Sequence, residues 1–270
     1  MFRNYLKIAF RNLLKNPVFS FINVAGLSLG IAVFVFILEY IGYEKSVNSF
    51  HQNLPVLYRT LYESKQGEIY DYSAPVVAPL VKQSFPEINN YCRIAEGIAN
   101  GIVTIKDSKE SKTFKEKSAA YADGSFFDIF TFSVLQGDGR ALQESNTVAI
   151  SATTATKYFG KASALNKVIS INNEFGENLY TIIAVYEDFS SNSDLQYDLI
   201  LSLQTLANPA NLHGSDWADL TGTSSYLTTY FQLVPNTNAS ALALKVNELK
   251  KKLNPEDENV FILQPLAEVH

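Results

Sequence analysis

Hydrophobic and polar residues follow three successive patterns along this chain. Across residues 2–15, cations recur every fourth position at Arg3, Lys7, Arg11 and Lys15, while Phe2, Leu6, Ala9, Phe10 and Leu13 take the other side of a 3.6-residue helix. That pattern predicts an interfacial amphipathic helix within residues 1–17, its cations facing lipid headgroups or a cytoplasmic partner. From Val18 to Leu38 come 21 residues without a charge. At 1.5 Å per residue they span roughly 30 Å, the thickness of a bilayer's hydrocarbon core, so a transmembrane helix is expected over residues 18–41. A cleaved signal peptide fits poorly, because its apolar part runs to about 7–15 residues before a small-x-small cleavage site. An uncleaved anchor is the reading that fits.

Past residue 42 the pattern switches repeatedly between period two and period 3.6. Runs rich in Val, Ile, Tyr and Thr predict strands at Val56 to Tyr62, Ile102 to Lys106, Thr147 to Ile150, Leu179 to Tyr186, Tyr197 to Leu203, Tyr226 to Val234 and Val260 to Leu263. Helices are predicted at Pro75 to Phe85, Ser151 to Phe159 and Ala239 to Leu253. The last is the clearest, with Leu242, Val246, Leu249 and Leu253 at i, i+4, i+7 and i+11. Turn-forming KDSKES (106–111) and NNEFGEN (172–178) separate hairpin arms. The sum is an α+β domain with mostly antiparallel strands and a β-rich middle forming a second lobe.

Charge adds orientation. The chain carries −5 overall and its first 17 residues +4, leaving −9 for the remainder. Cations before the span and Glu39 and Glu44 after it place the N-terminus in the cytoplasm by the positive-inside rule. An acidic exterior domain argues against nucleic-acid binding. Cys92 is the only cysteine, so no intrachain disulfide forms, and a buried thiol is expected.

Motifs for chemistry are sparse. GLSLG, Gly26 to Gly30, fits both G-x-S-x-G, a hydrolase's nucleophile elbow, and G-x-x-x-G, a face for packing helices in lipid. An elbow needs a strand, a sharp turn and a helix, whereas this run lies within the apolar span, so Gly26 and Gly30 read as a packing face. His51, His213 and His270 are too dispersed for a zinc site, and no P-loop occurs. Gly160 in YFGKAS reads as a helix cap. Asp216, Trp217 and Asp219 read as packing plus solvated charge. Phe126, Phe127, Ile129 and Phe130 bring too much apolar area for a free loop and read as core.

Seven separated blocks resemble, in order, the MacB/FtsX-type ABC transporter permeases. They are LKIAFRNLLKNPVFSFINVAGLSLGIA (6–32), YEKSVNSFHQNLPVLYRT (43–60), APVVAPLVKQSFPEINNYCRI (74–94), ADGSFFDIFTFSVLQGD (122–138), TVAISATTATKYFG (147–160), AVYEDFSSNSDLQYDLILS (184–202) and LQPLAEVH (263–270). The sequence departs from the family at Asn48, where Asp is usual, at Asn166, where Gly is usual, and at Phe189-Ser190, where Pro is usual. All three read as loop variations.

The resemblance implies a bacterial inner-membrane permease subunit, not an enzyme, with a MacB-like periplasmic core domain over residues 42–270. It further implies a dimer of two permease copies bound to a separate ABC ATPase subunit that carries the ATP, so this chain itself needs no cofactor. Membrane lipids and a periplasmic adaptor or lipoprotein are the other implied partners. Relatives continue into further membrane helices, so a chain ending at His270 is expected to be incomplete. A pore-forming parent needs both ends of the domain at one bilayer face. That places about 42–100 and 221–270 in a membrane-proximal α+β lobe and about 101–220 in a distal, β-rich inserted lobe. The competing reading is a single-pass sensor or adhesin with an extracytoplasmic ligand-binding domain.

Overall fold

The computed structural model describes residues 2–106, 111–210, 216–217 and 224–269, with the backbone alone at 2, 3, 6, 9, 10 and 12. It comprises two compact units, Met1–Ser46 and Val47–His270.

The first unit holds α1 (Phe2–Lys15) and α2 (Pro17–Ser46). Pro17 separates them: it disfavours helical backbone at Asn16 and suits the first position of the next helix, where no N–H is needed. Ser20 Oγ closes the joint by donating to Leu13 O at 2.8 Å. No described residue of α2 is buried, and its long apolar stretch gives it the length and composition of a bilayer span.

The second unit is built from β1 (Leu57–Glu63), β2 (Ile69–Tyr70), β3 (Tyr72–Ser73), α3 (Val77–Ser84), β4 (Ile88–Glu96), β5 (Gly101–Lys106), β6 (Ser111–Glu116), β7 (Ala119–Ala122), α4 (Phe126–Ile129), β8 (Val134–Gly137), β9 (Thr147–Ser151), α5 (Ala152–Phe159), β10 (Val168–Asn173), β11 (Gly176–Tyr186), β12 (Leu199–Ser202), β13 (Leu227–Leu233), α6 (Ala239–Leu253) and β14 (Val260–Pro265). All described strands join one sheet, in the order β14-β1-β13-β4-β7-β12-β9-β11-β10-β5-β6, with β2, β3 and β8 as short additions. Most pairings are antiparallel, as the hairpin signals predict. Two are parallel, β12 with β7 and β11 with β9, the second across the helical crossover through α5.

Segments 57–96 and 227–265 supply one end of the sheet and 101–202 the other. The two ends are hydrogen-bonded to each other through β4 and β7, within one compact unit. The strand that follows α2 in sequence, β1, pairs along its length with β14, from Tyr58 opposite Pro265 to Glu63 opposite Val260. Both extremities of the domain thus lie at one end of the sheet.

Neighbouring residues on a strand point to opposite faces, and here both faces are covered. Phe231 packs under α3 and α6 with Ala78, Val81, Leu242, Val246 and Phe261, whereas adjacent Tyr230 belongs to a second cluster with Phe126, Phe130 and Tyr186. On β9, Val148 and Ile150 face α5 while Ala149 joins the α4 side. Each large side chain buried here contributes about 1.5–3 kcal/mol. The α4-side and α5-side clusters both draw from the two ends of the sheet, whereas the cluster under α3 and α6 belongs to one end. A buried ion pair reinforces the β4–β7 seam: Arg93 Nε and Nη2 donate to Asp123 Oδ2 and Oδ1 at 2.9 and 2.8 Å, the Arg93 backbone N–H adds a bond of 2.8 Å, and Nη1 donates to Pro75 O. At 4% and 10% exposure, this pair holds structure only while both partners are present.

Candidate functional site

Three segments distant in sequence converge on the residues that follow α2. Asn48 sits at φ 58, a left-handed conformation that Asn tolerates better than most residues, and is buried. Its groups are all engaged. The backbone N–H donates to Asn192 O at 2.9 Å and the carbonyl accepts from His51 N. Side-chain Nδ2 donates to Asp194 Oδ2 at 2.9 Å and to Leu266 O at 3.3 Å, and Oδ1 accepts from Asp194 N at 3.2 Å. One asparagine therefore ties the chain leaving α2 both to the 190–195 loop before β12 and to the turn Leu266–Glu268 after β14.

The next residues dock on the α4 block. Gln52 N donates to Thr131 Oγ1 and Asn53 Nδ2 to Ile129 O. His51 is buried among rings, with Phe50, Phe130 and Phe132 centroids 4.2, 5.5 and 5.1 Å away. Thr131 N donates to its Nδ1 at 3.1 Å, which leaves the proton of a neutral imidazole on Nε2, and Nε2 is buried without a hydrogen-bond partner among the described residues. Burial depresses the His51 pKa from 6.5 to about 4. The aromatic wall continues through Phe132, whose ring stacks on Phe189 at 4.0 Å, to Tyr186 and Tyr197. Tyr186 donates to Tyr197 O at 2.8 Å and Tyr197 donates to Glu96 on β4. These bonds and ring contacts link the entry segment, the aromatic block, the 190–195 loop and the C-terminal turn to one another.

Of the residues singled out by sequence, Gly26, Ser28 and Gly30 lie inside the continuous helix α2, so no strand-turn-helix elbow surrounds Ser28. A Cβ placed on either glycine meets nothing within 4 Å. Lys7, Arg11 and Lys15 are exposed on α1; Arg3 is helical, its side chain undescribed. Cys92 is fully buried at the seam and burial pushes its thiol pKa well up. Gly160 caps α5 at φ 62, its N–H donating to Thr156 O. Trp217 packs edge-on against Phe175 and Tyr226. His213, Asp219 and His270 lie outside the described residues. Sequence reasoning missed Asn48, taking it as a loop variation. Among the described residues four asparagines occupy positive φ, at 48, 146, 166 and 236, a left-handed conformation that asparagine tolerates better than most residues.

A membrane-length helix feeding a mixed α/β domain that is clamped at its point of entry defines a membrane-anchored protein with an extracytoplasmic domain. The chain matches the MacB-like periplasmic core domain over residues 20–249 and belongs to that family, that of ABC-type transporter permeases. No curated protein sequence matches it. Three solved structures share its fold. A domain assigned to a permease protein from Porphyromonas gingivalis is 20% identical, with a TM-score of 0.63 over 80% of this chain and 92% of that one. The periplasmic region of MacB from Actinobacillus actinomycetemcomitans is 14% identical, with a TM-score of 0.55 over 82% and 91%. The extracellular domain of the ABC-type transporter YknZ from Gram-positive bacteria is 14% identical, with a TM-score of 0.51 over 77% and 99%.

Proposed function

We propose that this chain acts as, or within, a permease subunit whose exterior domain moves in response to ATP hydrolysis by a separate ABC ATPase. The observation that carries this is the joint at Asn48 and His51. A domain that only bound a ligand at the surface needs no stiff connection to its anchor, whereas a domain that transmits displacement does. Here the residues after α2 are bonded to the 190–195 loop, the 129–132 segment and the 266–269 turn, so a tilt delivered at residue 47 would be shared by both ends of the sheet instead of being absorbed by a flexible linker.

In this reading α2 spans the bacterial inner membrane with the N-terminus cytoplasmic, and α1 lies at the inner interface with Arg3, Lys7, Arg11 and Lys15 toward headgroups. Among the described residues nothing lies within 4 Å of a Cβ placed on Gly26 or Gly30, which is compatible with that face packing against a second permease copy. The domain would work in the periplasm on a substrate, an adaptor or a lipoprotein. Purifying the protein from its own membranes in mild detergent and identifying its companions tests this. An ABC ATPase is expected in stoichiometric amount; recovery with a periplasmic ligand and no ATPase would favour the single-pass sensor.

A further inference from the structure

The apolar stripe of α6 outruns the core. Leu242 and Val246 are buried with Phe231 and Phe261, but Leu249 is half-buried and Leu253 is 61% exposed. On α3, Val77, Leu80 and Val81 recur at i, i+3 and i+4, one face of a helix. The two stripes line a cleft of about 330 Å³ together with Tyr62 of β1 and Tyr70 of β2, whose rings stack with centroids 5.6 Å apart. Apart from Ser225, the lining comes from segments 62–81 and 246–259, all of them described. The charged residues of that lining are Lys250 and Asp257, and they neutralise each other. Lys250 Nζ lies 3.3 Å from Asp257 Oδ2 and donates to Asn259 O at 2.7 Å, while Asp257 Oδ1 accepts from Asn259 N at 3.0 Å. Tyr62 is different. Its hydroxyl is buried without a hydrogen-bond partner among the described residues, and burial, with Tyr70 and Asp257 nearby, raises its pKa and keeps it protonated.

A buried donor left unpaired keeps its desolvation cost, which an acceptor placed beside it removes. Apolar walls, a neutralised charge pair and one open donor together define the occupant. A cavity of about 150 Å³ with apolar walls holds benzene, so about 330 Å³ admits one or two rings. We propose that this cleft binds a neutral, mostly apolar small molecule of one or two rings that bears a hydroxyl or carbonyl oxygen for Tyr62. An ion entering here finds no free counterpart in the lining and loses its hydration uncompensated. Because the Tyr62 hydroxyl is covered, binding includes a small shift of the side chains around it. The cleft shares no lining residue with the entry joint, and its occupancy does not depend on ATP coupling.

The test uses the full chain in a neutral maltoside detergent with two small fluorinated probes, 4-fluorobenzyl alcohol and 4-fluorotoluene. Binding is read by fluorine NMR line broadening after subtraction of protein-free micelles. Both probes should bind saturably, and Leu80→Trp or Leu249→Trp, which fill the cleft, should weaken both at least about tenfold. Tyr62→Phe should weaken the alcohol about fivefold, the net worth of one hydrogen bond, and leave 4-fluorotoluene unchanged. This variant deletes only an unpaired hydroxyl, so an unlowered thermal midpoint is expected, and it decides the matter even where a tryptophan variant unfolds. No binding above that of micelles, binding that survives both tryptophan variants at unchanged midpoints, or Tyr62→Phe acting alike on the two probes would overturn the proposal.

Discussion

Replacing Asn48 probes the joint most economically, because two substitutions separate its bonds from its backbone. Asn48→Ala removes the donor to Asp194 Oδ2 and Leu266 O and the acceptor for Asp194 N, and leaves a β-carbon at φ 58 without local hydrogen bonding. Losing the bond to a carboxylate costs about 1.5–3 kcal/mol and losing the two neutral ones about 0.5–1.5 kcal/mol each. The left-handed conformation adds about 1 kcal/mol for alanine. Asn48→Gly loses the same bonds without the conformational cost. Since such terms overlap, we expect about 4 kcal/mol for Ala and about 1 kcal/mol less for Gly. For a domain of this size each kcal/mol lowers the thermal midpoint by roughly 2–4 °C, so Asn48→Ala should melt about 8–16 °C below the parent. Near-ultraviolet circular dichroism of the full chain in detergent reads this directly. A loss under about 1 kcal/mol in both variants would show that the bonds at Asn48 do not fasten the entry segment, and the mechanical reading would fall with them.

Other expectations follow from neighbouring features. His51 is neutral when folded and its pKa is depressed to about 4, so its penalty is absent above pH 6.5 and grows as pH falls. Roughly 3 kcal/mol of stability should be lost by pH 4, a slope that His51→Gln flattens in urea titrations at several pH values; unchanged slopes would refute it. Asp123→Asn strands a buried Arg93 charge and should cost about 3–5 kcal/mol in chemical denaturation, whereas a cost near zero would mean that the seam pair is dispensable. Gly26→Leu with Gly30→Leu should weaken helix association in a membrane two-hybrid assay while Ser28→Ala changes little. Phosphonate labelling of Ser28 would revive the hydrolase reading.

Periodicity was legible where one face of an element meets solvent. Ala239–Leu253 appears with the bounds its apolar spacing predicts, and Thr147 to Ile150 and Tyr226 to Val234 shift by a residue at most. It failed at β7, AAYA, which is buried on both faces and built from a poor strand former, and at the edge strand β6, SKTFKE, whose charges mask its alternation. The edge at β14 is protected differently. Asn247 of α6 accepts from Phe261 N at 2.8 Å and donates to Phe261 O at 2.9 Å, as a neighbouring strand would. Nothing in the helix's spacing marks that residue. The joint was least legible, since Asn48 meets partners 146 and 218 residues away and its φ leaves no trace in composition. The aromatic block was visible as apolar area, but its role in burying His51 was not.

Hydrogen exchange on the protein with its ATPase in lipid nanodiscs, with and without ATP and vanadate, tests the central claim most directly. The account predicts that segments 47–54, 190–195 and 266–269 change protection together when nucleotide is trapped, and that Asn48→Ala uncouples the first from the other two. Protection unchanged by nucleotide in all three segments, or changes that survive Asn48→Ala intact, would contradict it.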